Sequence, residues 1–200
     1  MKQVLFLIFT IASTMARADD IALGEPAYGG TGCPQGTVGT TISPDNKVLS
    51  VIFDAFLAQA GKGAGVSIDR KTCNLAVPVH VPQGLSLSVL KVDYRGYTYV
   101  PSGAMARFTV EYFLKSIDGS STGPKGSKTF MGPVDREYLI SNEIGIVGTV
   151  WSPCGQDVNL RINTSMLAKT NYKNQDVLAT VDSADIAAGM RYHLQWRTCK

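Results

Sequence analysis

Several functional classes are excluded by what this sequence does not contain. It has only two histidines, His80 and His193, and no strand-to-helix turn is predicted that would present a nucleophile elbow. Nucleophilic catalysis needs a nucleophile, a base and a group that orients the base, and those parts are missing here. No two cysteines stand at the close spacing of a zinc-ligand pair. No metal and no cofactor is therefore expected, and no catalytic residue is assigned. Beyond residue 18 no apolar run approaches the about 20 residues that a membrane-spanning helix requires. There is no internal repeat, no long amphipathic helix and no basic run. A nucleic-acid partner is set aside for lack of an electrostatic footprint.

The first 18 residues read as an export leader. Met1-Lys2 is a minimal basic start, Val4 to Ala12 a short apolar run, and Ala16-Arg17-Ala18 a small-x-small cleavage site. The whole chain carries 19 Lys and Arg against 16 Asp and Glu. Lys2 and Arg17 leave with the leader, so the mature balance is 17 against 16, close to neutral. Removing 18 of 200 residues leaves 182, enough for one domain with a sizeable core over residues 19–200. The expected location is secreted, whether extracellular or periplasmic.

Export also bears on the four cysteines, Cys33, Cys73, Cys154 and Cys199. Disulfides persist in oxidising compartments. Four cysteines allow three pairings, and spacing alone does not choose among them. The reading favours Cys33–Cys73 with Cys154–Cys199, because each pair then staples one half of the chain. A metal site is the rival use of these residues.

What is present is strand pattern. Cys73, Leu75, Val77, Val79 and Val81 fall at every second position, with Asn74, Ala76, Pro78 and His80 between them. A period of two means one buried and one wetter face. Pro78 lacks a backbone donor and points to an edge strand or a bulge. Gly- and Pro-rich Glu25 to Val38 predicts an irregular lead-in, and Thr37 to Ile42 a first strand. Lys47 to Leu57 is apolar on both faces, as in a central strand, with a helix over Val51 to Ala60 as the minor alternative. Leu85, Leu87, Val89 and Lys91 alternate, Arg95-Gly96 is placed to make a bend, and Ala104 to Lys115 forms another strand. Asp118 to Lys128 has the composition of a mobile surface loop, and Asp185 to Met190 of one helical turn. Val158 to Asn163, Val177 to Val181 and Tyr192 to Cys199 complete the series. Many short strands with frequent turns predict an all-β fold, an antiparallel, jelly-roll-like β-sandwich.

Gly32-Cys33-Pro34-Gln35-Gly36-Thr37-Val38, Phe53-Asp54-Ala55-Phe56, Arg70-Lys71-Thr72-Cys73-Asn74-Leu75 and Asp93-Tyr94-Arg95-Gly96-Tyr97 carry a resemblance to the secreted domain-of-unknown-function 4360 family. It continues through Pro153-Cys154-Gly155, Leu160-Arg161-Ile162-Asn163-Thr164 and Trp196-Arg197-Thr198-Cys199. It implies a small exported cysteine-bearing β domain and no activity.

Among the residues left over, Tyr94, Arg95, Tyr97 and Tyr99 are the strongest ligand-binding candidates. Tyrosines beside an arginine stack on a sugar ring or anchor a protein; otherwise they pack across strands. A glycan, an envelope surface or an extracellular protein is the expected class of partner. The alternatives are a hydrolase acting on carbohydrate through two of Asp54, Asp69, Asp93, Glu111, Glu137 and Asp182, and a structural envelope or matrix protein. Asp182-Ser183-Ala184-Asp185 lacks the ligand density of a calcium loop. Asn163-Thr164-Ser165 matches a glycosylation sequon.

Overall fold

The computed structural model describes residues 20–115, 125–143, 150–181 and 189–199. Residues 1–19, 116–124, 144–149, 182–188 and 200 lie outside that description. Thirteen strands and no helix are found among the described residues. They are β1 (Ala22–Leu23), β2 (Ala27–Gly29), β3 (Val38–Ile42), β4 (Val48–Phe53), β5 (Leu57–Ala60), β6 (Ile68–His80) and β7 (Leu85–Val100). The rest are β8 (Met105–Lys115), β9 (Lys125–Met131), β10 (Val134–Glu143), β11 (Val158–Lys169), β12 (Val177–Thr180) and β13 (Met190–Thr198).

They form two antiparallel sheets. The first runs β1-β6-β11-β8-β9, with β2 also on β6. The second runs β3-β4-β13-β7-β12-β5, and β10 pairs with the other edge of β7 along Lys91 to Val100. The expected β-sandwich is observed. Its core lies between the layers, where Cys73, Leu75, Val77 and Val79 of β6 are buried as the period of two requires. Aromatic rings bridge the layers: Tyr94 of β7 meets Phe108 of β8 at 5.0 Å between centroids, and Tyr112 of β8 meets Tyr192 of β13 at 6.3 Å. Removing such side chains from water is the dominant favourable contribution to the fold.

Both favoured disulfides are present, Cys33–Cys73 and Cys154–Cys199, and no described cysteine is free. The first fastens the chain ahead of β3 to β6; the second fastens the turn before β11 to the end of β13. Pro78 sits in β6 where β2 stops and β1 begins: β2 pairs with Asn74 to Ala76, and β1 with Val79 and His80. Its carbonyl accepts the Gly24 amide at 2.8 Å, so its missing N–H would point to this thin edge and breaks no long ladder.

Several expectations are corrected. The lead-in contains β2, because Ala27 to Gly29 finds a free edge on β6. Lys47 to Leu57 is two strands, not one, split at Asp54 to Phe56; the same segment is not helical, since cross-strand pairing with β3, β13 and β12 satisfies its backbone. Lys125 to Lys128 opens β9 on β8 and is not loop. Arg95-Gly96 makes no bend but runs straight through the middle of β7.

One irregularity sets the outer faces. Across β7 and β13, Lys91 opposes His193 but Val89 opposes Leu194, so Leu90 is an extra residue in the ladder. It points outward, 49% exposed. Such a bulge moves every later side chain to the opposite face. Leu87 and Val89 point into the core before it, and Val92 and Tyr94 after it. Lys91, read as continuing the Leu85–Val89 face, is thereby displaced from it.

Candidate functional site

Past the bulge the outward side chains of β7 are Asp93, Arg95, Tyr97 and Tyr99. Neighbours about 6.7 Å apart along the strand form one line. Tyr94, grouped with them in the sequence, faces the other way and is wholly buried. Burial in the core pushes its pKa far above the ordinary tyrosine value. The structure thus brings three of the four residues together and separates the fourth.

Tyr97 is held in place. Its hydroxyl donates to Asp135 Oδ1 at 2.5 Å, and its amide donates to Thr180 Oγ1 at 2.9 Å. The hydrogen bond to the Asp135 carboxylate raises the Tyr97 pKa. Tyr99, 41% exposed, lies between Asp135 on β10 and Leu178 on β12. Arg95 opposes the exposed Leu139. No carboxylate among the described residues pairs with the Arg95 guanidinium. Beside the tyrosines runs a groove of about 490 Å³, lined by Gln59 of β5, Asp176, Leu178 and the two rings. Gln59 and Leu178 belong to this site although the sequence did not single them out. They reach it only because β12 pairs with both β7 and β5.

Gly96 keeps this strand in place. A Cβ there would stand 2.2 Å from the Thr180 carbonyl oxygen and 2.5 Å from the Tyr138 hydroxyl. The absent side chain lets Tyr138 cross β7 and donate to the Thr180 carbonyl at 2.6 Å.

Both histidines are paired with aspartates. His193 Nε2 lies 2.8 Å from Asp93 Oδ2, and His80 Nδ1 lies 2.7 Å from Asp157 Oδ1. Asp93 also takes the Ser141 hydroxyl at 2.5 Å and the Lys91 ammonium at 3.1 Å. Burial acts to raise the Asp93 pKa, but the hydrogen bonds from Ser141, His193 and Lys91 outweigh it and hold the carboxyl below the ordinary range. Serine, histidine and aspartate meet here without making a nucleophile. Ser141 gives its proton to the carboxylate and not to the imidazole, so no base is placed to activate it. Gly119-Ser120-Ser121-Thr122-Gly123 does have G-x-S-x-G spacing, against the expectation that no such elbow occurs, and it lies outside the described residues.

The acidic candidates are dispersed. Asp54 sits in the turn after β4, and Asp69 accepts the Gln59 amide while pairing with Lys71. Glu111 on β8 pairs with Lys125 on the neighbouring β9. Asp93 and Glu137 share a face, but Glu137 stands four residues along β10 from the partner of Asp93, roughly 13 Å. Glycosidase carboxyls lie roughly 5–9.5 Å apart. Asp135 and Glu137 are closer, yet both are exposed on an edge strand and Asp135 is engaged by Tyr97. Asp182 and Asp185 lie outside the described residues. Among the described residues no group of three or more His, Cys, Asp or Glu is placed to hold a metal ion. No described helix is long and apolar enough to cross a membrane.

Residues 19–199 match the family described as Domain of unknown function (DUF4360). An uncharacterized secreted protein of Arthroderma benhamiae is 35% identical over 182 residues, covering 90% of this chain and 73% of that protein. Among solved structures, TmCBM61 in complex with β-1,4-galactotriose aligns with 87% of this chain and 88% of its own, at 10% identity and a TM-score of 0.25. A family 11 carbohydrate-binding module of the cellulosomal cellulase Lic26A-Cel5E of Clostridium thermocellum aligns with 87% and 86%, at 11% identity and 0.25. Scores this low carry neither fold nor ligand to this chain.

Proposed function

The chain belongs to the DUF4360 family, which brings no activity with it, and from that premise we propose an exported, non-catalytic binding domain whose recognition surface is the outer face of β7. The observation that carries this reading is the line of Arg95, Tyr97 and Tyr99 beside an open groove. A tyrosine ring offers an apolar face and a polar tip, which suits the mixed surface of a sugar ring. Arg95 adds a donor fork with no carboxylate to occupy it. The tether from Tyr97 to Asp135 limits the side-chain entropy lost on binding. A surface glycan is the ligand class these groups fit best.

Export is supported by the leader-like residues 1–18, by both disulfides and by the secreted description of the Arthroderma benhamiae relative. The dispersed carboxylates give the hydrolase alternative no support.

Retention on a glycan array tests the reading, using the full disulfide-bonded chain and the variants Arg95→Ala, Tyr97→Ala and Tyr99→Ala. The expected result is at least tenfold weaker retention with melting temperatures within a few degrees of wild type. Wild-type retention in all three variants, or unfolding of all three, overturns it.

A further inference from the structure

The opposite face of the sandwich carries a second concavity that the tyrosine surface does not use. It lies on the outer side of the first sheet, across β6, β11, β8 and β9, and encloses about 520 Å³. Strand register explains its shape. One row across the sheet is Thr72, Ser165, Thr109 and Ser127; the next is Asn74, Asn163, Glu111 and Lys125. The first row is entirely short hydroxyl side chains, which leaves a depression between longer neighbours. Ser165 and Thr109 share a hydrogen bond of 2.6 Å at its floor. Neither Asn74 nor Asn163 spends its amide on a partner among the described residues, so each offers donors and an acceptor outward.

Arg70 lines the trough, and Arg107 stands just beyond its lining, two residues along β8 from Thr109. Arg70 opposes Leu167, and Leu167 opposes Arg107, placing the two arginines two strand spacings apart, roughly 10 Å. Each guanidinium donates to a hydroxyl. Arg70 Nη2 donates to Ser165 Oγ at 3.3 Å, and Arg107 Nε donates to Thr129 Oγ1 at 3.1 Å. Neither has a carboxylate partner among the described residues. Among the described residues lining the trough the one acid is Glu111, and it pairs with Lys125 at 3.0 Å. Guanidinium forks match planar carboxylates and sulfates bidentately.

We infer that this trough is a second binding site, taking an extended acidic polysaccharide whose hydroxyls meet the Ser, Thr and Asn floor and whose carboxylate or sulfate groups meet Arg70 and Arg107. A neutral glycan would leave both guanidiniums without a counterion. A bare anion would leave the floor's hydrogen-bonding groups to water.

Affinity electrophoresis of the full disulfide-bonded chain tests this. Polygalacturonate supplies carboxylates and dextran sulfate supplies sulfates; methyl-esterified polygalacturonate and plain dextran are their neutral counterparts. The expected result is retardation by at least one acidic polymer and not by its neutral counterpart. Retardation should weaken at least tenfold in the Arg70→Ala/Arg107→Ala variant, weaken in Asn163→Ala, and persist in Tyr99→Ala. Retardation of wild type by neither acidic polymer overturns the inference, as does equal retardation by the neutral counterpart. So does wild-type behaviour of the double arginine variant. Loss in Tyr99→Ala would assign the binding to the β7 face instead. The arginines are exposed, so unchanged melting temperatures serve as the folding control.

Discussion

Val89 and Val92 both face the core although they stand three positions apart on one strand. A regular strand forbids this, since side chains three apart point to opposite faces. Leu90 resolves it by standing as the extra residue against β13. Its side chain is exposed, so Leu90→Ser should change stability by no more than about 0.5 kcal/mol in urea denaturation. Deleting residue 90 should also be tolerated, because it leaves Val89 and Val92 two positions apart, the spacing that puts both in the core of a regular strand, and keeps Arg95, Tyr97 and Tyr99 outward. The expected outcome is folded protein melting within a few degrees of wild type, and a deletion variant that fails to fold would refute the account.

Gly96 is required by its neighbours and not by its backbone. The Gly96→Ala methyl group would clash with the Thr180 carbonyl and the Tyr138 hydroxyl. Overpacking of this kind costs about 1–3 kcal/mol. Tyr138→Phe removes only the hydrogen bond to Thr180, a loss of about 1 kcal/mol. Because both changes act on one contact, the double variant should lose less than the sum, as read by a double-mutant cycle in urea.

The two disulfides should contribute comparably. Their partners are separated by 40 and 45 residues. Closing loops of that length restricts the unfolded chain by about 4 kcal/mol each in the chain-entropy account. Replacing either pair by alanine should lower stability by about 2–5 kcal/mol. Peptide mapping without reductant should recover Cys33 with Cys73 and Cys154 with Cys199, and any other pairing contradicts the fold.

Asp93 predicts a stability change in acid. Its folded pKa lies below the ordinary 3.8, so the unfolded chain takes up the proton first as pH falls. The contribution is complete above the ordinary value and is lost as pH falls through the folded value. Asp93→Ala should therefore melt several degrees below wild type at neutral pH, with the gap closing on acidification below 3.8. A gap that stays constant across that range would show that the charge of Asp93 contributes nothing.

Much of the framework was legible in the residues. The alternation from Cys73 to Val81, the wide cysteine spacing and the absence of helical periodicity led to paired sheets and two staples. The binding candidates were legible as residue types but not as a surface. Tyr94 and Tyr97 look equivalent in the sequence, yet one is core and the other outward. Likewise, nothing in the chain order joins Gln59 to Tyr99, or Arg70 to Arg107.

Local chemistry decided the sequence's part: side-chain alternation makes strands, and thiols in an oxidising compartment make crosslinks. Tertiary structure alone decided which face each side chain occupies, because a single bulged residue reverses the phase of all that follow. It also decided the grooves, since strand pairing brings together residues far apart along the chain.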